Sequence, residues 1–299
     1  MGAIWTLKQA ALSGRGRPRL DALDLSIEAG ITAVMGPSGA GKTSLLNLLV
    51  GFEAPDQGAV SGPPQPIAWS PQDGGLWPHL SVREHIAAVT TRDVAEFLQP
   101  LRLMDHLNAR PHKLSQGERS RLSIARALAT GRDLLVLDEP LVNVDAASEV
   151  EGWAFILETV RRRKGSLVYS THVPEKVLGI AASVVCLDAG RLSYHGSVEE
   201  LYYYPENPSL AEVLGPCNWF EPGDTLPGID ARLLRPEQLL LIPDVEGSFE
   251  VLEVIFRGSL EEVLLRDCSS QKSRHLLHRP PCNRLKKGDR LRVECVNGS

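Results

Sequence analysis

The sequence has few aromatic residues, no excess of basic residues and no apolar run long enough to span a bilayer. Aromatic residues make up 5% of the 299 residues, and 32 Lys and Arg stand against 37 Asp and Glu. Cations on phosphates supply most of the affinity for a DNA backbone, and a span needs ~20 apolar residues. We therefore expect neither a nucleic-acid partner nor a chain that crosses a membrane by itself.

Cysteine is sparse and has no recognisable pattern. No CxxC pair and no spacing typical of a metal site is present. The five positions are Cys186, Cys217, Cys268, Cys282 and Cys295. An odd number of cysteines in a chain of this length indicates reduced thiols in the cytosol. The first twenty residues do not predict a secretory signal, because their basic cluster follows the short apolar parts.

The pattern of apolar and polar residues along the chain changes near residue 215. Before it, apolar runs at 31–36, 133–140 and 166–172 alternate with helical patterns, including a helix that continues through 45–52. Alternating strands and helices predict a mostly parallel sheet, in which sites gather at the carboxyl ends of the strands. After it, β-type segments such as SFEVLEVIF and DRLRVECV predict a small barrel or sandwich of about 85 residues. We predict domains 1–215 and 216–299, joined through a Pro/Gly-rich linker at 205–228.

The segment GPSGAGKT follows a predicted strand and opens a predicted helix, which is the context that a phosphate-binding loop requires. Its glycines let the backbone wrap round a polyphosphate, and the N–H groups and helix N-terminus face the anion. We expect Lys42 to reach the β- and γ-phosphates, Thr43 to bind Mg²⁺ and Ser44 to contact the α-phosphate. The candidate ATP-binding residues are Gly36, Pro37, Ser38, Gly39, Ala40, Gly41, Lys42, Thr43 and Ser44.

Two acids, Asp138 and Glu139, end the apolar run LLVL. An acid at the end of a strand can hold the Mg²⁺ that bridges two phosphates. A second acid beside it can orient and polarise the attacking water. With a phosphate loop upstream, we assign Asp138 to the metal and Glu139 to the water.

In their order and spacing, the phosphate loop, Gln72, LSQGE (114–118), LLVLDEP and His172 resemble the ATP-binding cassette (ABC) transporter ATPases. PQDGGLWPHLSVREHI (71–86) resembles the glutamine loop of importer subunits. The C-terminal part resembles the OB-like (TOBE) regulatory domain of maltose, sulfate and iron importer ATPases, through LRPEQLLLI (234–242) and FRGSLEEVLL (256–265). The implied fold is an α/β P-loop NTPase, a RecA-like core plus a helical subdomain, followed by an all-β OB-like domain.

The resemblance implies a role for each matching residue. Glu139 would be the catalytic base, His172 would contact the γ-phosphate, and Gln72 would contact Mg²⁺ and the water. Ser115 and Gly117 would bind ATP held by a second copy of the chain, with Asp145 across the same interface. The implied assembly is a homodimer that sandwiches two ATP molecules at the cytoplasmic face of the inner membrane. A membrane permease and, indirectly, a solute-binding protein would be its partners in solute import.

Local structure offers a second interpretation of two of these residues. Ser115 and Glu118 have the spacing of a capping box, and Asp145 is a suitable N-cap for the helix that follows it. For Ser115 the two interpretations agree, since a capped helix N-terminus is also an anion site.

Three features depart from the family pattern, and one of them is that only 41 residues separate Gln72 from Leu114, which predicts a compact helical subdomain. The usual signature is LSGGQ, but Gln116 and Glu118 replace the first glycine and the glutamine, while Ser115 and Gly117 remain. The aromatic residue that normally stacks on adenine is missing from LSGRGRPRL, and Trp5 lies too early in the chain to replace it. An aromatic stack contributes ~1 kcal/mol, so we expect adenine to be held more weakly.

Three other functions remain as alternatives. An exporter subunit would share the same motifs. A soluble ABC ATPase of DNA repair or translation would carry a long coiled-coil insertion or two cassettes, and neither is present. A nucleic-acid module built on the C-terminal part would need basic and aromatic residues, but residues 216–299 have nearly equal numbers of acids and bases and only four aromatics.

Overall fold

The computed structural model describes residues 2–63, 65–221, 226, 232–280 and 285–296. It divides into two compact units, Met1–Glu199 and Glu200–Ser299. The expected domain boundary between residues 215 and 216 stays a prediction. Cys282 lies outside the described residues, and the other four cysteines are free thiols. Among the described residues, no helix combines the length and apolarity that a bilayer span requires.

The first unit is a mixed α/β structure. Its strands are β1 (Ala3–Leu12), β2 (Leu20–Glu28), β3 (Ile31–Met35), β4 (Gln57–Ser61), β5 (Ile67–Ser70), β6 (Leu134–Leu137), β7 (Ser166–Ser170), β8 (Ser183–Asp188) and β9 (Arg191–Ser197). Its helices are α1 (Lys42–Leu49), α2 (Val82–Ala87), α3 (Ala95–Leu98), α4 (Gln116–Ala129), α5 (Ala146–Arg163) and α6 (Pro174–Leu178), with 3₁₀ turns at Met104–His106 and Pro111–Lys113.

Two sheets organise this unit. Six strands form one sheet in the order β5-β6-β7-β3-β8-β9, in which only the β8–β9 pair is antiparallel. The second sheet is antiparallel, in the order β2-β1-β4. Because β3, β6 and β7 are parallel neighbours, the polar residues that follow them meet at one edge, as the sequence predicted.

The core of the first unit joins the two sheets through α1. Leu45 and Leu46 of α1 are fully buried, in one apolar cluster with Val34 of β3 and Leu25 of β2. Trp5 lies in the same cluster at 1% exposure, and its Nε1 donates to the carbonyl of Leu49 at 2.9 Å. Trp5 is therefore a core residue that satisfies a carbonyl at the end of α1.

Helix α1 is shorter than the predicted apolar helix through 45–52. It ends at Leu49, and Gly51 then adopts a φ of 72°. A glycine in the left-handed region just beyond a helix is a common stop signal. The apolar run continues past that point, but the helix does not.

The second unit is built mainly of antiparallel β-structure. Its elements are α8 (Pro208–Val213), β10 (Asn218–Trp219), β11 (Leu233–Leu234), β12 (Leu239–Pro243), β13 (Phe249–Phe256), β14 (Glu261–Asp267), β15 (Ser273–His278) and β16 (Arg290–Cys295), with a 3₁₀ turn at Pro236–Gln238. Helix α7 (Val198–Tyr203) precedes them along the chain. Strands β12 to β16 form one sheet in the order β12-β16-β13-β14-β15 around an apolar core. This five-stranded sheet is consistent with the OB-like expectation.

The predicted linker contains regular structure. Helix α8 lies within residues 205–228, with Asn207 Oδ1 accepting from the N–H of Leu210 at 3.0 Å and Pro208 at the first helical position. Leu210 and Ala211 are buried. A linker is therefore the wrong description of this part of the stretch, because an N-cap and an apolar face together form a packed helix.

Arg235 is the largest buried polar side chain of the second unit. It is 0% exposed and donates to four backbone carbonyl oxygens, within 2.8–3.3 Å. These carbonyls belong to Tyr202, Ala211, Gly215 and Pro216. Its guanidinium also lies 4.1 Å from the ring centroid of Tyr202. One side chain thus satisfies a carbonyl near the end of α7, one near the end of α8 and two in the segment that follows α8.

Candidate active site

Residues 36–41 connect β3 to α1 as a tight loop, in the strand–loop–helix context that the sequence predicted. Gly36, Gly39 and Gly41 have positive φ angles of 148°, 77° and 105°. A Cβ on Gly41 would lie 2.7 Å from the carbonyl oxygen of Arg19, closer than real Cβ atoms come. Both conformation and space therefore require glycine there. The loop leads into the N-terminus of α1, whose N–H groups favour an anion.

Lys42 begins α1, and its side chain folds back over the loop. Its Nζ donates to the carbonyl oxygen of Gly36 at 2.8 Å and to that of Pro37 at 3.3 Å. The same Nζ lies 3.9 Å from Oε1 of Glu139. The ammonium group therefore stands between the loop and the end of β6, where the terminal phosphates of a bound nucleotide would lie.

Asp138 is 3% exposed and joins α1 to the ends of β6 and β7. Thr43 Oγ1 donates to its Oδ2 at 2.7 Å, and Ser170 Oγ donates to its Oδ1. Burial raises the pKa of the Asp138 carboxyl above its usual range, against the hydrogen bonds from Ser170 and Thr43, which lower it. A buried carboxylate beside a hydroxyl is an oxygen donor set that suits a hard divalent cation.

Glu139 has a φ of 47°, which is unusual for a residue other than glycine. Its backbone N–H donates to Ser170 Oγ at 2.8 Å, which holds this conformation. The carboxylate is 11% exposed, and both of its oxygens lie 3.1 Å from Nδ1 of His172. Strained backbone of this kind is common where a side chain must be aimed at a reacting group. The carboxylate is held between one cation and one imidazole.

A cleft of about 510 Å³ opens beside these groups. Its walls include the phosphate loop, Gln72, Asp138 and Glu139. The β1–β2 turn, with Arg15, Arg17 and Arg19, forms the other wall. Among the described residues, no aromatic side chain lines this cleft, as the sequence predicted for the region before the phosphate loop.

Gln72 also borders a second cavity, of about 450 Å³, whose lining likewise includes Asp138 and Glu139. That cavity is lined by Gln116 and Arg119 of α4. The loop that carries Gln72 is fixed to the same helix, since Ser123 Oγ donates to the carbonyl oxygen of Gly74 at 2.8 Å. The glutamine loop and α4 therefore form one connected piece.

Arg126 strengthens this connection. Its guanidinium donates to the carbonyl oxygens of Gly75 at 2.6 Å and Gly74 at 3.0 Å. It also lies 4.7 Å from the ring centroid of Trp77, and Trp77 stacks on His85 with ring centroids 5.5 Å apart. The aromatic part of the loop is thus held in place by a residue on the helix that Ser115 caps.

Comparison with known proteins places this site in a family. Residues 20–142 match the family model described as ABC transporter. The Fe(3+) ions import ATP-binding protein FbpC 1 of Rhodococcus jostii is 32% identical over 84% of this chain and 83% of its own length. The chain belongs to the ABC transporter family.

A further relative agrees with this family, and two solved structures share the fold. The spermidine/putrescine import ATP-binding protein PotA of Chromobacterium violaceum is 34% identical over 67% of this chain, and the match spans 61% of that protein. The ATP-binding cassette MJ0796, solved as a dimer bound to ADP and Pi, has 21% identity and a TM-score of 0.58 over 65% of this chain and 98% of its own. A solved ATP-binding subunit of an ABC transporter gives a TM-score of 0.60 at 21% identity, and the match covers 70% of this chain and 97% of that structure's chain.

This ABC family member is an ATP-binding, ATP-hydrolysing subunit of the import type. Its fold is the expected P-loop NTPase with a C-terminal all-β unit. Neither the exporter alternative nor the soluble ABC ATPase is supported, because the relatives that cover most of the chain are import ATP-binding proteins.

The signature segment of this ABC subunit begins α4. Ser115 Oγ accepts from the N–H of Glu118 at 3.2 Å, and Glu118 Oε2 accepts from the N–H of Ser115 at 2.7 Å, so the predicted capping box is present. A Cβ on Gly117 would lie 2.6 Å from the carbonyl oxygen of Asn143. Among the described residues, neither Ser115 nor Gly117 lines the cleft of their own chain.

Asp145 caps α5, as the second interpretation predicted. Its Oδ1 accepts from the N–H of Ser148 at 2.9 Å, and this hydrogen bonding lowers the pKa of the Asp145 carboxyl. It is absent from the cleft wall formed by the described residues. Its placement across a dimer interface stays a prediction.

Sequence reasoning missed two parts of the site. Ser170 hydrogen bonds to both Asp138 and Glu139, but in the sequence it is only the last residue of the predicted apolar strand SLVYS. The arginines of the β1–β2 turn line the cleft, and their only signal was the basic cluster in LSGRGRPRL. For Ser170 the usable signal was a hydroxyl at the carboxyl end of a central strand.

Proposed function

We propose that the chain works as a homodimer of Mg-ATP-dependent subunits that drive solute import through a separate membrane permease. The observation that carries this proposal is the set of groups joined at one cleft. Lys42 lies 3.9 Å from Glu139, Glu139 lies 3.1 Å from His172, and Thr43 hydrogen bonds Asp138 at 2.7 Å. A cation, a positioned carboxylate and an oxygen donor pair are the parts that phosphoryl transfer requires.

The residues present fit Mg²⁺. Asp138 is a buried carboxylate whose pKa is raised by burial, and the Thr43 hydroxyl donates to it at 2.7 Å. Among the described residues no group of three or more His, Cys, Asp or Glu forms a metal cage. Mg²⁺ at nucleotide sites is typically held by one or two protein groups together with phosphates. Thr43 and Asp138 would hold it, with Gln72 nearby, and bound Mg²⁺ would neutralise charge on the phosphates.

Glu139 would take the proton of the attacking water. Its carboxylate is largely shielded from solvent and is aimed by the hydrogen bond between its own N–H and Ser170. His172 would hold that carboxylate in place and contact the γ-phosphate. Lys42 would stabilise the charge that develops on the phosphate oxygens. The phosphate-loop N–H groups would position the nucleotide.

A second copy of the chain would complete each site. Ser115 is exposed at the capped N-terminus of α4, which favours an anion. Because it does not line its own cleft within the described residues, a nucleotide from another copy is the ligand it can meet. Ser115, Gly117 and Asp145 would then lie at a symmetric interface, in which each copy presents the same surface.

The loop from Gln72 to His79 would meet the permease. Trp77 is 38% exposed, and its ring packs on the guanidinium of Arg126, which holds this partly exposed apolar surface in place. Binding to this partner would hold the subunit at the cytoplasmic face of the inner membrane, and a solute-binding protein would act on the far side of the permease. Relatives of 33–34% identity are named for spermidine/putrescine, Fe(3+) ions and molybdenum, so this similarity does not select a cargo.

We also propose residues 216–299 as a separate OB-like domain that regulates the subunit or contributes to its dimer. The five-stranded sheet with its own apolar core supports an independent role.

Replacing Glu139 tests the function. We expect Glu139→Gln to bind ATP, to hydrolyse it at least about 100-fold more slowly, and to elute as a dimer with Mg-ATP but not with Mg-ADP. Glu158→Gln, at an exposed position of α5, is the matched control. Wild-type turnover by Glu139→Gln would exclude Glu139 as the base, and a monomer with Mg-ATP would contradict the sandwich.

A further inference from the structure

The β1–β2 turn, residues 13–19, is fixed against the phosphate loop. Arg19 donates through Nη1 to Glu53 Oε1 at 3.0 Å and through Nε to the carbonyl oxygen of Ser13 at 3.0 Å. Glu53 in turn accepts from Asn47 of α1 at 2.8 Å. The turn is therefore held in place by the helix that begins at the phosphate loop.

Backbone packing fixes the turn from a second side. The N–H of Asp21 donates to the carbonyl oxygen of Gly190 at 2.8 Å, and a Cβ on Gly190 would lie 2.9 Å from the carbonyl oxygen of Arg19. Pro18 also restricts the backbone next to Arg17. Side chains on this turn therefore start from a defined position over the cleft.

Arg17 extends from the turn over the phosphate loop. Its Nη2 lies 3.4 Å from the position that a Cβ on Gly39 would occupy, and Gly39 is within GPSGAGKT. Arg17 also lines the same cleft as Lys42 and Thr43. The guanidinium thus lies beside the phosphate-binding backbone while Arg17 remains exposed to solvent, where a ligand can reach it.

The charges around the cleft leave Arg17 without compensation. Arg19 is paired with Glu53, and this hydrogen bond lowers the pKa of the Glu53 carboxyl. Lys42 lies near Glu139. Within the part of the chain that the structure describes, the Arg17 guanidinium has no hydrogen-bond or ion-pair partner. An unpaired guanidinium on an anchored turn is available to an anionic ligand.

We propose that Arg17 binds a phosphate oxygen of the nucleotide and replaces, with a charge contact, part of the affinity that an aromatic stack on the base would supply. A guanidinium is permanently charged and donates charge-assisted hydrogen bonds to phosphate oxygens. Ribose and the α-phosphate separate the base from the β- and γ-phosphates, so a side chain over the loop meets phosphate first. This inference rests on the proposed function, since it takes the cleft to be the nucleotide site.

Binding of three ligands to the full-length chain in EDTA tests the inference. The ligands are ATP, GTP and inorganic tripolyphosphate, measured by calorimetry. We expect Arg17→Ala to weaken all three by about tenfold, the size of one partly exposed charge-assisted hydrogen bond. Arg17→Lys keeps the charge and should restore most of the affinity. Arg83→Ala, at an exposed position of α2, is the matched control and should bind as wild type.

Each other result has a defined meaning. Weaker ATP binding with unchanged tripolyphosphate binding would show that Arg17 contacts the base, which overturns the inference. Unchanged binding of all three ligands, or no rescue by lysine, would also overturn it. Lys42→Ala distinguishes failure of the proposed nucleotide site from failure of the Arg17 inference. If Lys42→Ala loses affinity while Arg17→Ala does not, the nucleotide site is supported and only the role of Arg17 is refuted. If the wild-type chain binds none of the ligands, the proposed function fails.

Discussion

Ser170 Oγ donates a hydrogen bond to Oδ1 of Asp138, and both side chains are nearly inaccessible to solvent. The same oxygen accepts from the N–H of Glu139 at 2.8 Å. One hydroxyl therefore sets the position of both acids. Its loss should change the chemistry more than the fold.

For Ser170→Ala, we expect turnover to fall by about 100-fold, with little change in nucleotide affinity. Because the Ser170 hydrogen bond lowers the pKa of Asp138, its removal should move the acidic limb of the pH–rate profile to higher pH. The profile of kcat is the measurement. Ser148→Ala, a buried serine away from the cleft, is the control, and an unmoved acidic limb in Ser170→Ala would contradict this role.

Asp138→Asn tests the stability cost of the buried carboxylate. The folded-state pKa of Asp138 is raised, so its ionised form destabilises the ligand-free protein at neutral pH, and protonation relieves that cost as pH falls through the raised pKa. We expect Asp138→Asn to have a higher Tm than wild type at neutral pH in EDTA, and the difference to shrink as pH is lowered. It should also lose Mg-dependent hydrolysis. A difference in Tm that does not vary with pH would argue against this origin.

Lys42→Ala removes the ammonium group over the phosphate loop. We expect ATP affinity to fall by about 10- to 100-fold, the range for a hydrogen bond to a charged group. The measurement is an equilibrium titration with the full chain. Lys8→Ala, at an exposed position of β1, is the control. ATP affinity equal to that of wild type would count against the phosphate loop as the binding site.

Mixing two inactive variants tests the shared site. In a sandwich, Lys42 of one copy and Ser115 of the other serve the same nucleotide, so a dimer of Lys42→Ala with Ser115→Ala has one intact site. We expect the mixture to hydrolyse ATP faster than the average of the separate variants. Activity equal to that average would show that Ser115 serves its own chain. The Ser115→Ala substitution also removes a helix cap, worth about 1 kcal/mol, so its Tm is measured alongside.

Arg235→Ala should destabilise the C-terminal unit. The substitution leaves four carbonyl groups without their buried donor and opens a cavity beside the ring of Tyr202. We expect a loss of about 3–5 kcal/mol in the free energy of unfolding, measured by denaturant titration. Arg279→Ala, an exposed arginine of the same unit, should stay within about 0.5 kcal/mol of wild type. Equal effects of the two substitutions would refute the structural role of Arg235.

Much of the catalytic edge was predictable from local sequence. Short buried strands followed by polar residues predict a parallel sheet, and parallel strands place their carboxyl ends together. Asp138 and Glu139 therefore followed from their positions after LLVL, whereas the role of His172 came from the family resemblance. The phosphate loop followed from its glycines and its strand–helix context.

The missed residues depend on tertiary packing. Ser170 acts through the two residues that follow β6, and nothing in SLVYS shows which strand lies beside it. Arg17 meets the phosphate loop only because Arg19 is anchored to Glu53 and the turn packs on Gly190. The helix in 205–228 was missed because proline and glycine dominate that composition, while Asn207 and Pro208 are also a start signal for a helix.

The anchoring of the glutamine loop to α4 has a mechanical consequence. Ser115 caps one end of this helix, and Ser123 and Arg126 hold the loop of Gln72 from positions two to three turns further along. A displacement of the capped end of α4 is therefore transmitted along the helix to the residues from Gln72 to Trp77. If a nucleotide of a neighbouring copy binds at Ser115, as proposed, the resulting displacement of α4 would reach the surface proposed to meet the permease without an intervening flexible segment.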